Sequence, residues 1–208
     1  MAVFKSLQKR LDRQKILKKT AELKDRNITI ISNNCAGGFI YKDLNLVFNS
    51  PTIGLFFYSP DYIKFLKELD YYLAKELSFT DKSKYKGEFA YPIGLLDEIE
   101  IHFVHYKDET HARTKWDLRK TRILKDRLFI LGAEVMECTP EIIREFDELP
   151  YKNKLFFSQH AYPQFGSTVQ LKEYENCEFE DYMRWRGWNM YVDLIKWFNG
   201  DANYRIKG

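Results

Sequence analysis

Three short polar sequences each follow an apolar run in this chain. Ser32-Asn33-Asn34-Cys35 follows Ile28–Ile31, His105-Tyr106-Lys107 follows Ile99–Val104, and Ser158-Gln159-His160 follows Leu155–Phe157. Imidazoles exchange protons near neutral pH, side-chain amides position hydroxyl and phosphate oxygens, and a lysine holds an anion. If the apolar runs are strands of one parallel sheet, their carboxyl ends meet at one edge, where open α/β sheets bind ligands. His105 and His160 are then candidate acid–base groups. Cys35 is a candidate nucleophile, activated by a histidine. Ser32, Asn33, Asn34, Tyr106, Lys107 and Gln159 are candidate substrate-binding residues.

The first sequence runs on into Ala36-Gly37-Gly38. Asn tolerates left-handed backbone angles and Gly takes them freely, so this turn can aim several N–H groups at one anion. We therefore expect a positive φ at Gly37 or Gly38 and a diphosphate cradled there. The turn has neither the Lys-Ser/Thr of a P-loop nor the glycine spacing of a dinucleotide fold. Each candidate also has a structural alternative. His105 suits a hydrogen-bonded strand histidine, His160 a carbonyl cap, and Cys35 a small residue packed on the sheet. His102 and His105 point to opposite faces of a strand, so no shared metal is expected. Asp97, Glu98 and Glu100 specify a hydrated cation only weakly. The cysteines Cys35, Cys138 and Cys177 are odd in number and scattered, which speaks against a disulfide framework or structural zinc. No metal is assigned, and the cofactor is unknown.

These residues need strands and helices to position them. Apolar runs at 28–32, 53–58, 99–106, 128–131 and 155–157 read as strands, with 169–171 as an edge strand. Ser59-Pro60-Asp61 opens a helix with the stripe Ile63, Leu66, Leu69, Leu73 and Leu77, and Thr139-Pro140-Glu141 opens another to Leu149. Asp108 or Thr110 starts a helix to about Ile123. Its Arg113, Lys115, Arg119, Lys120 and Arg122 form a solvated face or hold a diphosphate. Residues 78–92 read as a loop or small hairpin. A last helix spans 180–199, stopped by Gly200. Strands alternating with capped helices predict a largely parallel sheet with helices on both faces, a three-layer α/β domain.

The 208 residues are 45% hydrophobic and 30% charged, in keeping with one soluble domain, 27–208, plus an appendage. Aromatic content is high, with 14 Tyr and 16 Phe, first a sign of a densely packed core. The net charge of +3 hides an asymmetry. Residues 1–26 carry nine Lys/Arg against three Asp/Glu (+6), which leaves 24 against 27 (−3) for the remainder. Phe4, Leu7 and Leu11 share a helix face within 3–24. This basic arm, 1–26, is a solvated helix or one lying on anionic lipid through residues 1–24; no nucleic-acid partner is assigned. No apolar run is long enough to span a membrane and no signal-peptide core follows Met1, so we expect a cytoplasmic protein, peripheral at the inner membrane face through the arm.

Ile-Ser-Asn-Asn-Cys-x-Gly-Gly (31–38), Asn-Ser-Pro-Thr-Ile-Gly-Leu-Phe (49–56), Tyr-Pro-Ile-Gly (91–94), Ile-His-Phe-x-His-Tyr-Lys (101–107) and Leu-Pro-Tyr-Lys-Asn-Lys (149–154) resemble one bacterial family. It is the domain of unknown function numbered 1919, often labelled exopolysaccharide biosynthesis protein, and the similarity runs from about 27 to 172. The chain departs from the family at Ala36, where Trp is common. It also departs at 132–138, which lacks an Asn-Asp-Arg character before Cys138-Thr139. The resemblance implies a role in capsule or exopolysaccharide assembly. The leading expectation is a glycosyltransferase-like enzyme acting on a nucleotide-activated sugar or lipid-linked glycan. Alternatives are acyl or phosphoryl transfer with Cys35 or His160 as nucleophile, or a non-catalytic scaffold. A homodimer is compatible with the sequence.

Overall fold

The computed structural model of the chain describes residues 18, 20–172 and 186–206. Most of the expected basic arm, and the first part of the expected helix over 180–199, lie outside these residues.

In chain order the elements are β1 (Thr29–Ser32), α1 (Ala36–Asp43), α2 (Ser59–Lys67), α3 (Leu69–Ala74), β2 (Ser78–Thr80), β3 (Ile93–Leu96) and β4 (Ile99–His102). There follow α4 (Glu109–Lys120), β5 (Leu128–Ala133), α5 (Pro140–Glu148), β6 (Lys154–Ser158), β7 (Thr168–Gln170) and α6 (Leu194–Phe198). β1, β5, β6 and β7 form a parallel sheet in the order β1-β5-β6-β7. β2, β3 and β4 form a small antiparallel sheet. The fold is therefore mixed α/β, with the parallel sheet at its centre.

Successive strand residues point to opposite faces, and the core divides accordingly. Ile30, Leu131 and Phe157 join α1 and α6 on one side. Ile31, Ile130 and Phe156 join α2, α4, α5 and the small sheet on the other. The aromatic excess goes into these cores: Trp116, Trp188, Tyr41, Tyr62 and Phe146 are among the largest fully buried side chains. Each such side chain contributes about 1.5–3 kcal/mol by leaving water. β1 is one of the two outer strands, and its open edge is satisfied from elsewhere. The Tyr41 hydroxyl accepts from Ile30 N at 2.9 Å and donates to Ile28 O at 3.0 Å, while Ser32 N donates to Thr52 Oγ1 at 3.1 Å.

Four expected elements differ. Residues 53–58 do not form a strand: Gly54 sits at φ +74°, and a single bridge, Phe56 to His102, joins this segment to β4. β4 stops at His102 because Val104 N turns back to His102 O and Tyr106 N to Phe103 O. The helix after Ser59 breaks at Glu68 (φ −126°, ψ 44°) and ends at Ala74, before Leu77. The expected C-terminal helix is interrupted: a 3-10 turn covers Gly187–Met190 and only Leu194–Phe198 is α-helical. Gly200 does stop that helix, at φ +74° with its N–H on Trp197 O. Asp108 and Thr139 cap α4 and α5 as their residue types predict. Ser59 caps nothing; its hydroxyl leaves α2 for Val135 O, at 2.5 Å.

Candidate functional site

The carboxyl edge of the parallel sheet is built from the loops after β1, β5 and β6. After β1, the side chains of Asn33 and Asn34 are 1% and 2% exposed and form a chain of hydrogen bonds. Ala36 N donates to Asn34 Oδ1 (2.8 Å), Asn34 Nδ2 to Asn33 Oδ1 (2.9 Å), and Asn33 Nδ2 to Ala133 O (3.0 Å). The Ser32 hydroxyl is consumed by Asn34 O at 2.8 Å. Both amides thus tie β1 to β5 and start α1.

The glycine turn is corrected outright. Gly37 and Gly38 lie inside α1, and neither has a positive φ. Gly37 is needed because α1 presses on β1: a β-carbon there would sit 2.7 Å from Ser32 Oγ. Two glycines in sequence signal either a left-handed turn or a close helix–strand contact, and here the contact holds. The cradle of N–H groups expected for a diphosphate is not formed by these glycines. Cys35 precedes α1 half-buried, and burial pushes its thiol up to about 11 against the weaker pull of Lys42. A thiol so held is protonated at neutral pH and is a poor nucleophile.

After β5 and β6 the arrangement is chemical. Glu134 Oε2 accepts from Gln159 N (2.7 Å) and His160 N (3.1 Å). Glu134 Oε1 meets His160 Nδ1 (2.8 Å) and accepts from Tyr162 Oη (2.8 Å). Burial pushes the Glu134 carboxyl up, but bonds from His160, Tyr162 and the two backbone N–H groups outweigh it and hold the group below the usual carboxylate range. Ionised Glu134 accepts a hydrogen bond from Nδ1–H, so in a neutral His160 imidazole the lone pair lies on Nε2. The carboxylate is 13% exposed and the imidazole 58%, so a sheltered carboxylate lies against an exposed imidazole.

The loop leaving β5 is strained. Met136 and Glu137 both take positive φ, 47° and 59°, which costs non-glycine residues energy and recurs at functional sites. Ser59 holds the loop, its N–H on Met136 O (2.9 Å) and its hydroxyl on Val135 O. Cys138 closes the loop; burial, and then the charge of Glu134, push its thiol up to about 12. Ser158, at the end of β6, has a buried hydroxyl with no hydrogen-bond partner among the described residues.

The structure brings Gln159 and His160 to this edge and sets the His105 group apart. His160 follows β6 of the parallel sheet, whereas His105 follows β4 of the small sheet, which meets the 53–58 segment through the bridge Phe56 to His102. His105 is exposed, with its N–H on Gly54 O. Tyr106 is buried, its hydroxyl donating to Ile53 O at 2.5 Å and accepting from Arg119 at 2.6 Å. Lys107 is exposed. His105 thus follows a strand of the small sheet and His160 one of the parallel sheet, and the bonds around Glu134 include His160 and not His105.

Glu134 and Tyr162 were not among the expected residues. The signal for Glu134 was present: Gly132 and Ala133 are small enough to continue the strand past Leu131, and Glu134 is then the first polar residue beyond it. A cleft of about 550 Å³ opens at the opposite, amino edge, lined in part by Lys67, Tyr71, Lys125 and Tyr151. Its Lys67 and Lys125 are matched by Glu145 and Asp70, and among the described residues it is lined by no histidine or cysteine. The candidate acid–base groups stand at the carboxyl edge instead. Among the described residues, no helix is long and apolar enough to cross a membrane.

Comparison with known proteins agrees with the resemblance read from the motifs. The family model of the domain of unknown function DUF1919 matches residues 6–199. A protein of Haemophilus influenzae, described as uncharacterized, is 38% identical over 184 residues, covering 86% of this chain and 87% of that protein.

Proposed function

The chain belongs to the DUF1919 family, and on that premise we propose that it is a transferase of surface-polysaccharide assembly, with His160 as general base on a saccharide hydroxyl. The observation that carries this reading is the 2.8 Å contact of Glu134 with His160 at the carboxyl edge of the sheet. Glu134 fixes the tautomer, and Nε2 takes the proton of the attacking hydroxyl as its oxygen bonds the anomeric carbon and the anomeric C–O bond to the nucleotide diphosphate breaks, the diphosphate leaving with the bonding pair. Glu134 then stabilises the imidazolium. The donor is a nucleotide-activated sugar. The donor and glycan class rest on the resemblance to exopolysaccharide biosynthesis proteins, and the chemistry rests on the dyad. The basic arm brings the enzyme to the anionic inner membrane face.

The test is release of nucleotide from a panel of nucleotide sugars, with and without membrane extracts as acceptor source. His160→Ala should slow turnover about 10²- to 10⁴-fold, the usual contribution of a positioned base. Full activity in that variant, or no turnover of any nucleotide sugar by the wild type, overturns the reading. The same dyad favours one alternative, acyl transfer to the glycan with His160 again as base. Consumption of acyl-CoA in place of nucleotide sugar in the same assay would select it.

A further inference from the structure

His102 ends β4 fully buried, and among the described residues neither ring nitrogen has a hydrogen-bond partner; Glu100 Oε2 lies 3.5 Å from its Nε2. Aromatic rings surround it. Phe56 stacks on it at 4.6 Å, Phe89 meets it edge-on at 4.9 Å, and Tyr58 and Tyr91 lie at 5.1 and 5.8 Å. Tyr85 stacks on Tyr58 with ring centroids 3.5 Å apart and planes within 5°. Tyr58 is 9% exposed, whereas Tyr85 and Tyr91 are half-buried, so Tyr85 is the outer ring of the stack.

The segment 81–92 that carries Tyr85 and Tyr91 is held in place. Glu100 accepts from Lys84 N (2.7 Å) and Ser83 Oγ (2.6 Å), and Asp61 accepts from Lys84 Nζ (2.7 Å). Packing alone does not ask for two buried carboxylates, 1% and 4% exposed, to fix a loop whose aromatic side chains then stand half in solvent. The wall also adjoins the proposed active loop. Tyr58 leads directly into Ser59, which holds Val135 and Met136. Burial, and after it the charge of Glu137, raise the Tyr58 phenol.

We propose that this aromatic wall, with Tyr85 outermost, is the subsite for the acceptor glycan, one pyranose ring lying on the outer face of Tyr85. The inference rests on the glycan-transfer reading above. A sugar presents a face of polarised C–H groups to the negative face of an aromatic ring, and its hydroxyls donate to carboxylates at the rim. Both are here: rings, and Glu137 beside them. A nucleotide can also stack on tyrosine, but its phosphates would meet Glu137, Asp61 and Glu100, with the amine of Lys84 already on Asp61. The donor nucleotide is thereby steered away from this wall and the neutral glycan toward it. The orphaned His102 fits the same picture, since one stacked imidazole completes a rigid aromatic floor without adding charge.

Saturation-transfer NMR with maltotriose, cellotriose and diacetylchitobiose as probes, and UDP as the nucleotide probe, tests the assignment on the full chain. We expect at least one oligosaccharide to bind and Tyr85→Ala to weaken it about tenfold or more, as loss of a stacked ring does. Tyr85→Phe should retain binding, and UDP binding should not change. His160→Ala should bind the same oligosaccharide normally while failing in transfer. Melting curves confirm that the variants fold, and Tyr91→Ala supplies a second lesion in the wall if Tyr85→Ala does not. Oligosaccharide binding that survives both alanine variants overturns the subsite and leaves the transferase reading intact. Loss of UDP binding in place of saccharide binding, or no binding of any oligosaccharide by the wild type, also overturns it. Loss of transfer activity in the wild type would instead strike the function itself.

Discussion

Ser32 and Gly37 are locked by contact: Ser32 Oγ lies 2.7 Å from the point where a β-carbon on Gly37 would stand. The serine cannot retreat cheaply, since it is fully buried and its hydroxyl is bonded to Asn34 O. Gly37→Ala should therefore cost about 1–3 kcal/mol by overpacking. The next glycine behaves oppositely. A β-carbon on Gly38 meets only Ile53 Cγ2 at 3.5 Å, an ordinary contact in a helical backbone. Gly38→Ala should be neutral or stabilising by up to about 1 kcal/mol, the helix preference for alanine. Urea unfolding of the two variants checks the difference in sign. Equal losses in both would mean that α1 does not press on β1 as described.

The asparagines predict coupling. Asn33 and Asn34 act in series between Ala36 N and Ala133 O, so losing either breaks one chain. Each alanine variant should cost about 1–3 kcal/mol, the penalty of stranding a buried polar group. The double variant should cost less than the sum by about 0.5 kcal/mol or more. Strict additivity in a double-mutant cycle would show that the two amides act independently.

These two sites also show what the sequence carried and what it could not. Hydrophobic runs with capped helices between them implied a parallel sheet, and β1, β5, β6 and β7 form it. Period and capping are local properties, so they could be read. Whether Gly37-Gly38 was a turn or a packing contact depended on how far α1 stood from β1, a tertiary distance with no local trace. The sheet to which the strand before His105 belongs was hidden for the same reason. Position at the end of an apolar run does not say which sheet the strand joins, and β4 pairs with β3. Gln159 and His160 could be placed because β6 really is parallel and central. Their partner Glu134 was hidden by ending β5 too early, at Leu131.

His102 predicts a pH dependence of stability. Burial among Phe56, Tyr58, Phe89 and Tyr91 drives its pKa down to about 4, against the opposing charges of Glu100 and Asp61. An unfolded histidine titrates near about 6.5. As pH falls, the unfolded chain binds this proton first, so the native state loses stability from about pH 6.5 down to about pH 4 and levels off below. The loss is about 3 kcal/mol at most. His102→Phe keeps a stacked ring and removes both orphaned nitrogens. It should flatten the slope in that window and raise stability at pH 5. Chemical denaturation at pH 4.5, 5.5 and 7 measures it, and an unchanged slope in the variant would assign the dependence to another group.

Glu134 and His160 should separate scaffold from chemistry. Glu134 accepts from two backbone N–H groups, a phenol and an imidazole, so Glu134→Ala should cost about 1.5–3 kcal/mol and loosen residues 158–162. Its carboxyl is held below the usual range, so its stabilising effect is present above about pH 4.3 and is lost as pH falls through its folded value. Glu134→Gln should remove that acid-side loss. His160 is more than half exposed, and His160→Ala should change stability by less than about 1 kcal/mol while slowing turnover about 10²- to 10⁴-fold. Calorimetry and nucleotide-release rates on the same preparations check both. The decisive comparison is His160→Ala: a stable, inactive protein supports His160 as the base, and a stable, fully active one removes it from the mechanism.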